Sequence, residues 1–343
     1  MDLIEGEEIQ LLPGFNRSCS MISIPPRSIT PRLIDNSTLK YYPIYLSNGA
    51  TLNCRPDVLI RCPQVIRDLD LDVRQCMKLL PKSTHTLIRR TIIWVNTTYY
   101  YGLCSDPINV NHSTAHHHED WLISVFDRPE KAPGIEIYNC FEYRKMRWHW
   151  NGCGLLLHEL CHIIHQFCLG LDNKIIEDAY QKAKDSGKLD EVLRRDWAGL
   201  ESGETDMAYA MVNAKEFFAE LSVAYWSEGY DETIQKNPNS MKDSSPPFTS
   251  QHIIERLDPN QYSIADPSLF RKISPFCRPS LRLPPHCNKF YPFTRGQFQE
   301  LDPDLFEVFH QTWMEIGKWE ILNDDSDCCN SLSFICLCKS RES

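Results

Sequence analysis

Apolar residues recur at helical spacing at Val65, Ile66, Leu69, Leu71, Val73, Met77 and Leu80, which predicts a helix over about 65–79 that Pro81 closes. The pattern then turns β-branched and aromatic. "TIIWVNTTYYYG", ended by Gly102, reads as one strand, and "GIEIYNC" at 134–140 as a second. From Trp150 to Cys168 a nearly unbroken apolar run predicts a helix that Gly170 terminates. "NKIIEDAYQKAKDSG" predicts another with Gly187 past its end, and "DEVLRRD" a short third one. Helical spacing returns in "MAYAMVNAKEFFAELSVAYW" at 207–226, and again at Phe298, Leu305, Phe306, Phe309 and Trp313. Residues 1–55 carry several prolines and no sustained period, so they read as an extension with one or two edge strands lying over the main domain. The stretch at about 227–290, rich in Pro, Ser and Asn, reads as an irregular insertion. The expected organisation is one α+β domain over 56–320, flanked by that extension and by a cysteine-rich tail at 321–343.

Composition narrows the field. The chain has 343 residues and is 42% hydrophobic, enough for a sizeable core. A net charge of −10 with scattered Lys and Arg argues against nucleic acid as a partner. No apolar run reaches the length of a membrane span. The opening "MDLIEGEEIQLL" lacks the basic and apolar regions of a signal peptide, so the sequence reads as soluble. Fifteen cysteines and sequons at Asn16, Asn36, Asn96 and Asn111 would suit secretion if an N-terminal segment were missing, and localisation stays open.

The chemistry concentrates in "HELCHIIH". On a helix His158 and His162 lie one turn apart on the same face, so two imidazoles can meet one ion. Zinc takes imidazole nitrogen readily, and a catalytic zinc keeps three protein ligands and one open position. Glu159, beside the first histidine, can lean toward that position as a general base. The bland alternative, two satisfied core histidines and a surface Glu, would bury ionisable groups in an apolar run without a shared partner. His165 lies further along the same face and reads as a neighbour of the site rather than a ligand; Cys161 reads as core. A third ligand is sought in "NAKEFFAELSVAYW", where Glu216 and Glu220 stand one turn apart among apolar residues. Asn213 could be a helix N-cap with Glu216 its capping-box partner, and Glu220 could face solvent. That reading leaves the ion short of a ligand, so Glu216 is assigned to the metal and Glu220 to orienting a ligand histidine. The run His116–His118 reads as exposed loop histidines rather than a second metal site.

With these two motifs, "HELCH" and "NAKEFFAELSVAYW", the chain resembles the gluzincin zinc metallopeptidases related to the anthrax lethal factor catalytic domain, and within them uncharacterised microbial and fungal members. The resemblance runs from about Pro56 to Trp319. It implies a zincin-like fold, with a small sheet beside the active-site helix and a helical second half that supplies the third ligand. It also implies that Glu216 binds zinc and that Tyr209, seven residues earlier, stabilises a tetrahedral intermediate. The insertion departs from the family and could narrow the cleft, with Cys277 and Cys287 able to close it as a loop.

The resulting expectation is a zinc-dependent endopeptidase acting on a peptide or protein substrate: Zn2+ held by His158, His162 and Glu216, with Glu159 as base and Tyr209 as oxyanion donor. Its rivals are a catalytically inactive, zinc-stabilised binding or scaffold protein of the same fold, and a helical protein with an accidental motif. Cleavage preference and oligomeric state are not legible in the sequence.

Overall fold

The computed structural model describes residues 32–147, 150, 152–194, 205–227 and 288–319. The chain before residue 32, nearly all of the insertion with Cys277 and Cys287, and the tail lie outside them.

A five-stranded mixed sheet lies at one side of the fold. Its strands are β1 (Tyr42–Tyr45), β2 (Thr51–Cys54), β3 (Ile92–Val95), β6 (Ser113–His116) and β7 (Gly134–Ile137), in the order β1-β2-β3-β7-β6. β2, β3 and β7 run parallel, while β1 and β6 are antiparallel edges. Residues 42–54, assigned to the extension by sequence, thus form two of the five strands. The parallel steps need crossovers, and helices α1 (Pro56–Arg61), α2 (Gln64–Leu79) and α3 (His85–Arg90) supply the first. α2 matches the helix expected at 65–79: it buries Val65, Leu69, Val73 and Cys76, and ends at an extended Leu80 before Pro81.

The single strand expected across "TIIWVNTTYYYG" is two. β3 stops at Val95, and β4 (Tyr99–Leu103) forms a separate two-stranded ribbon with β5 (Asp106–Val110). The break falls at Asn96, which is fully buried and turns its amide into the protein to donate to Glu136 and to the Ile137 carbonyl. A glycine is obligatory at the start of β7, because a Cβ on Gly134 would lie 2.5 Å from the Lys131 carbonyl oxygen and 2.9 Å from that of Ile92.

After α4 (Glu119–Ser124) and α5 (Cys140–Met146), the central helix α6 (Gly154–Ile164) is buried along its whole length. It continues as a π-turn, His165–Leu169, that Gly170 ends at φ 82. Helix α7 (Lys174–Ser186) starts at Asn173, whose side chain caps two backbone amides, and stops at left-handed Gly187, where a glycine was expected. The described part of "DEVLRRD", residues 190–194, is not helical: Val192–Leu193 form β8, paired with β9 (Thr205–Asp206), and Arg194 bridges to Phe290. Long-range pairing there overrides a weak local preference.

Helix α8 (Ala214–Trp226) packs on α6 and is covered by α9 (Arg295–Leu301) and α10 (Pro303–Gly317). The seal is aromatic. Phe218 stacks on Phe309 and Trp313, at 5.9 and 5.6 Å between ring centroids, and Phe298 meets Phe309 edge-on at 5.3 Å. Truncating Phe309, which is fully buried, should lose about 3–5 kcal/mol. The architecture is therefore α+β, with the sheet on one side of α6 and helices on the other. Among the described residues no helix is long and apolar enough to cross a membrane.

Candidate metal centre

The helical spacing of His158 and His162 does what the sequence requires of it. Both side chains leave α6 on one face, and their Nε2 atoms are 3.1 Å apart. Glu216 reaches them from the first turn of α8, which Asn213 fixes by accepting from the Lys215 and Glu216 amides. The capping alternative is therefore half right: Asn213 is an N-cap, but the Glu216 carboxylate points to the histidines. Its Oε2 lies 3.0 Å from His158 Nε2 and 3.3 Å from His162 Nε2. These three residues form a group that can hold a metal ion.

The fit can be tested on edge lengths. A tetrahedral ion with bonds of about 2.0–2.1 Å needs its ligand atoms about 3.3 Å apart. The three edges here, at 3.0, 3.1 and 3.3 Å, come close to that triangle. Two imidazole nitrogens and one carboxylate oxygen are also the donor types that divalent transition metals accept. Unpaired polar atoms crowd the same spot. Nδ1 of His158 and of His162, both ring nitrogens of His165 and both oxygens of Glu220 are buried without a hydrogen-bond partner among the described residues. His165, fully buried against Phe218 at 4.8 Å, stands outside the ligand triangle, as a neighbour.

Electrostatics ties the ligands together. Burial disfavours charge on His158, but the bond to Glu216 and the charges of Glu216, Glu159 and Glu220 outweigh it and raise the ring to about 9. Burial likewise opposes charge on Glu216, and the two histidines overcome it, holding the carboxylate well below the usual range. Glu220, buried on α8 with Asn288 and Lys289 as neighbours, is pushed by burial up to about 7. Glu159 is also buried, and burial raises it despite His158 and His162. Tyr209 opens a 3-10 turn, Tyr209–Met211, just before α8, with its ring centroid 6.2 Å from that of His158.

The expectation of exposed histidines at 116–118 holds only for His118. His116 ends β6 and bonds Glu136 at 2.8 Å in the interior. His117 is buried beside the three residues that can hold a metal ion, its ring centroid 5.8 Å from that of His162 and its Nδ1 2.9 Å from Gln166 Oε1. Burial, reinforced by the neighbouring His162, pulls His117 down to about 3. His117 and Gln166 are the site residues that sequence reasoning missed. The partners of the two histidines stand 20 and 49 positions away, a separation no local pattern carries. Compared with protein-family models, with curated proteins and with solved structures, the chain matches none.

Proposed function

We propose that the chain is a zinc-dependent peptide-bond hydrolase with a zincin-like fold of the gluzincin kind. The observation that carries this reading is the pairing of a three-ligand triangle with a buried carboxylate, Glu159, that belongs to the same helix but not to the triangle. His158, His162 and Glu216 would hold the ion. Bound zinc supplies Lewis acidity, polarising a carbonyl and lowering the pKa of a water within reach.

The remaining steps belong to side chains of this protein. Glu159 takes the proton from the attacking water and delivers it to the departing amine; its raised pKa brings it closer to the range where a carboxyl group can both accept and donate. Tyr209 offers a phenol hydroxyl to the developing oxyanion, and Glu220 acts on His158 through its nearby charge, without a hydrogen bond to the ring. An extended peptide has a place to lie: among the described residues β6 pairs with β7 alone, and it runs beside α6. Its other edge can add a strand.

Glu159→Gln tests the reading. Cleavage of a peptide library by the purified chain should fall at least ~100-fold while zinc content stays at that of the parent. Equal cleavage by both proteins would remove Glu159 from the mechanism and the hydrolase reading with it.

A further inference from the structure

A histidine that holds a metal ion usually donates its second ring nitrogen to a carboxylate, a carbonyl or a water, and that bond fixes the plane of the ring. His162 lacks such a bond within the described protein, since its buried Nδ1 meets no acceptor. Among the described residues, its orientation comes from packing. Two imidazoles flank it edge-to-face: the co-ligand His158, at 4.7 Å and 82°, and His117, at 5.8 Å and 83°.

His117 is itself clasped. Gln166 Nε2 donates to the His117 carbonyl at 3.0 Å, so the atom that faces the ring is Oε1, at 2.9 Å from Nδ1. An amide oxygen only accepts, which assigns the proton of His117 to Nδ1. Gln166 can reach back because it sits in the wide π-turn that follows α6, and His117 immediately follows β6. The clasp therefore joins the end of the edge strand to the end of the metal-binding helix.

We propose that His117, locked by Gln166, is a positioning residue that sets the ring plane of His162 for a metal ion, replacing by aromatic packing the hydrogen-bond acceptor that a ligand histidine ordinarily has. The inference rests on the metal-binding part of the proposed function and not on peptide cleavage, so its test reads metal binding.

Zinc affinity of the full chain is measured by competition with a chromophoric chelator, and ligand geometry by the visible absorption of the cobalt-substituted protein. His117→Ala should weaken zinc binding about 10-fold or more and alter the cobalt spectrum. Gln166→Leu, which keeps the imidazole but releases it, should do the same to a smaller degree. His117→Phe, which restores a ring, should recover most of the loss. A role confined to stability would instead lower the unfolding midpoint of the chelated protein and leave affinity and spectrum unchanged. Parent-like affinity and spectrum in folded His117→Ala overturns the proposal, as does a Phe variant as weak as the Ala variant. If His117→Ala does not fold, parent-like binding by Gln166→Leu, whose side chain is only half-buried, overturns it equally. A parent that binds no more zinc than His158→Ala sinks the metal reading itself, a failure visible before any variant at 117 is compared.

Discussion

Around Lys131 and around His158 the protein buries two clusters of ionisable side chains, and the clusters treat their polar atoms in contrary ways. Lys131, fully buried, directs its three donors to Tyr99, Asp127 and Glu136, at 2.6, 3.1 and 2.5 Å. Asp127 accepts in addition from Tyr99, Tyr101 and the Arg128 amide, and Glu136 from Asn96 and His116. None of these side chains has an unpaired buried polar atom. At the other cluster six such atoms remain, on His158, His162, His165 and Glu220. A closed network is what a structural role requires, because each buried polar group must be satisfied. An open one beside three residues that can hold a metal ion suits a place that receives something else. Strand alternation separates the two: Glu136 points away from the face of β7 on which Ile135 and Ile137 join the core that contains α6.

The comparison breaks most decisively at Lys131. Lys131→Met leaves Asp127 and Glu136 buried without their cation, and should destabilise the chain by about 3–5 kcal/mol in denaturant unfolding. A loss below ~1 kcal/mol would mean that the network is dispensable.

At the open cluster the sign should reverse. Burial raises Glu220 from 4.5 to about 7, so the folded, chelated protein keeps a proton that the unfolded chain has already lost. That contribution is complete below pH 4.5 and disappears as the pH rises through 7, so stability falls across this window. His158, raised from 6.5 to about 9, extends the decline upward. Glu220→Gln should remove the lower part of the slope and stabilise the chelated protein at pH 8 by about 1–3 kcal/mol. Unfolding curves of both proteins across pH 4–9 would show it; a parallel pair of profiles would place Glu220 outside the effect. A smaller change sharpens the picture. Asn213→Ala removes the cap under Glu216 and should lower stability by about 1 kcal/mol, read from the denaturation midpoint.

Much of the open cluster was legible in sequence because its parts are local. The 158/162 spacing, the buried run around it and the Asn213 cap each follow from a few consecutive residues. The meeting of Glu216 with the histidines was reachable by asking which buried carboxylates lacked a counter-charge. The closed cluster was invisible for the opposite reason. Tyr99, Asp127, Lys131 and Glu136 come from two strands, a connection and a 3-10 turn, and no one of these carries a period or a motif. The same long-range pairing split the strand at Asn96, drew His116 and His117 inward, and made a strand of Val192–Leu193.

His158 and Glu216 are 58 positions apart in the chain. An ion gripped by both is consequently a reversible staple across the intervening loop. Like a crosslink, it restricts the denatured ensemble, and the gain grows only slowly with loop length. The melting temperature should therefore track the concentration of free divalent cation, and a chelator should lower it even though every apolar contact between α6 and α8 is intact.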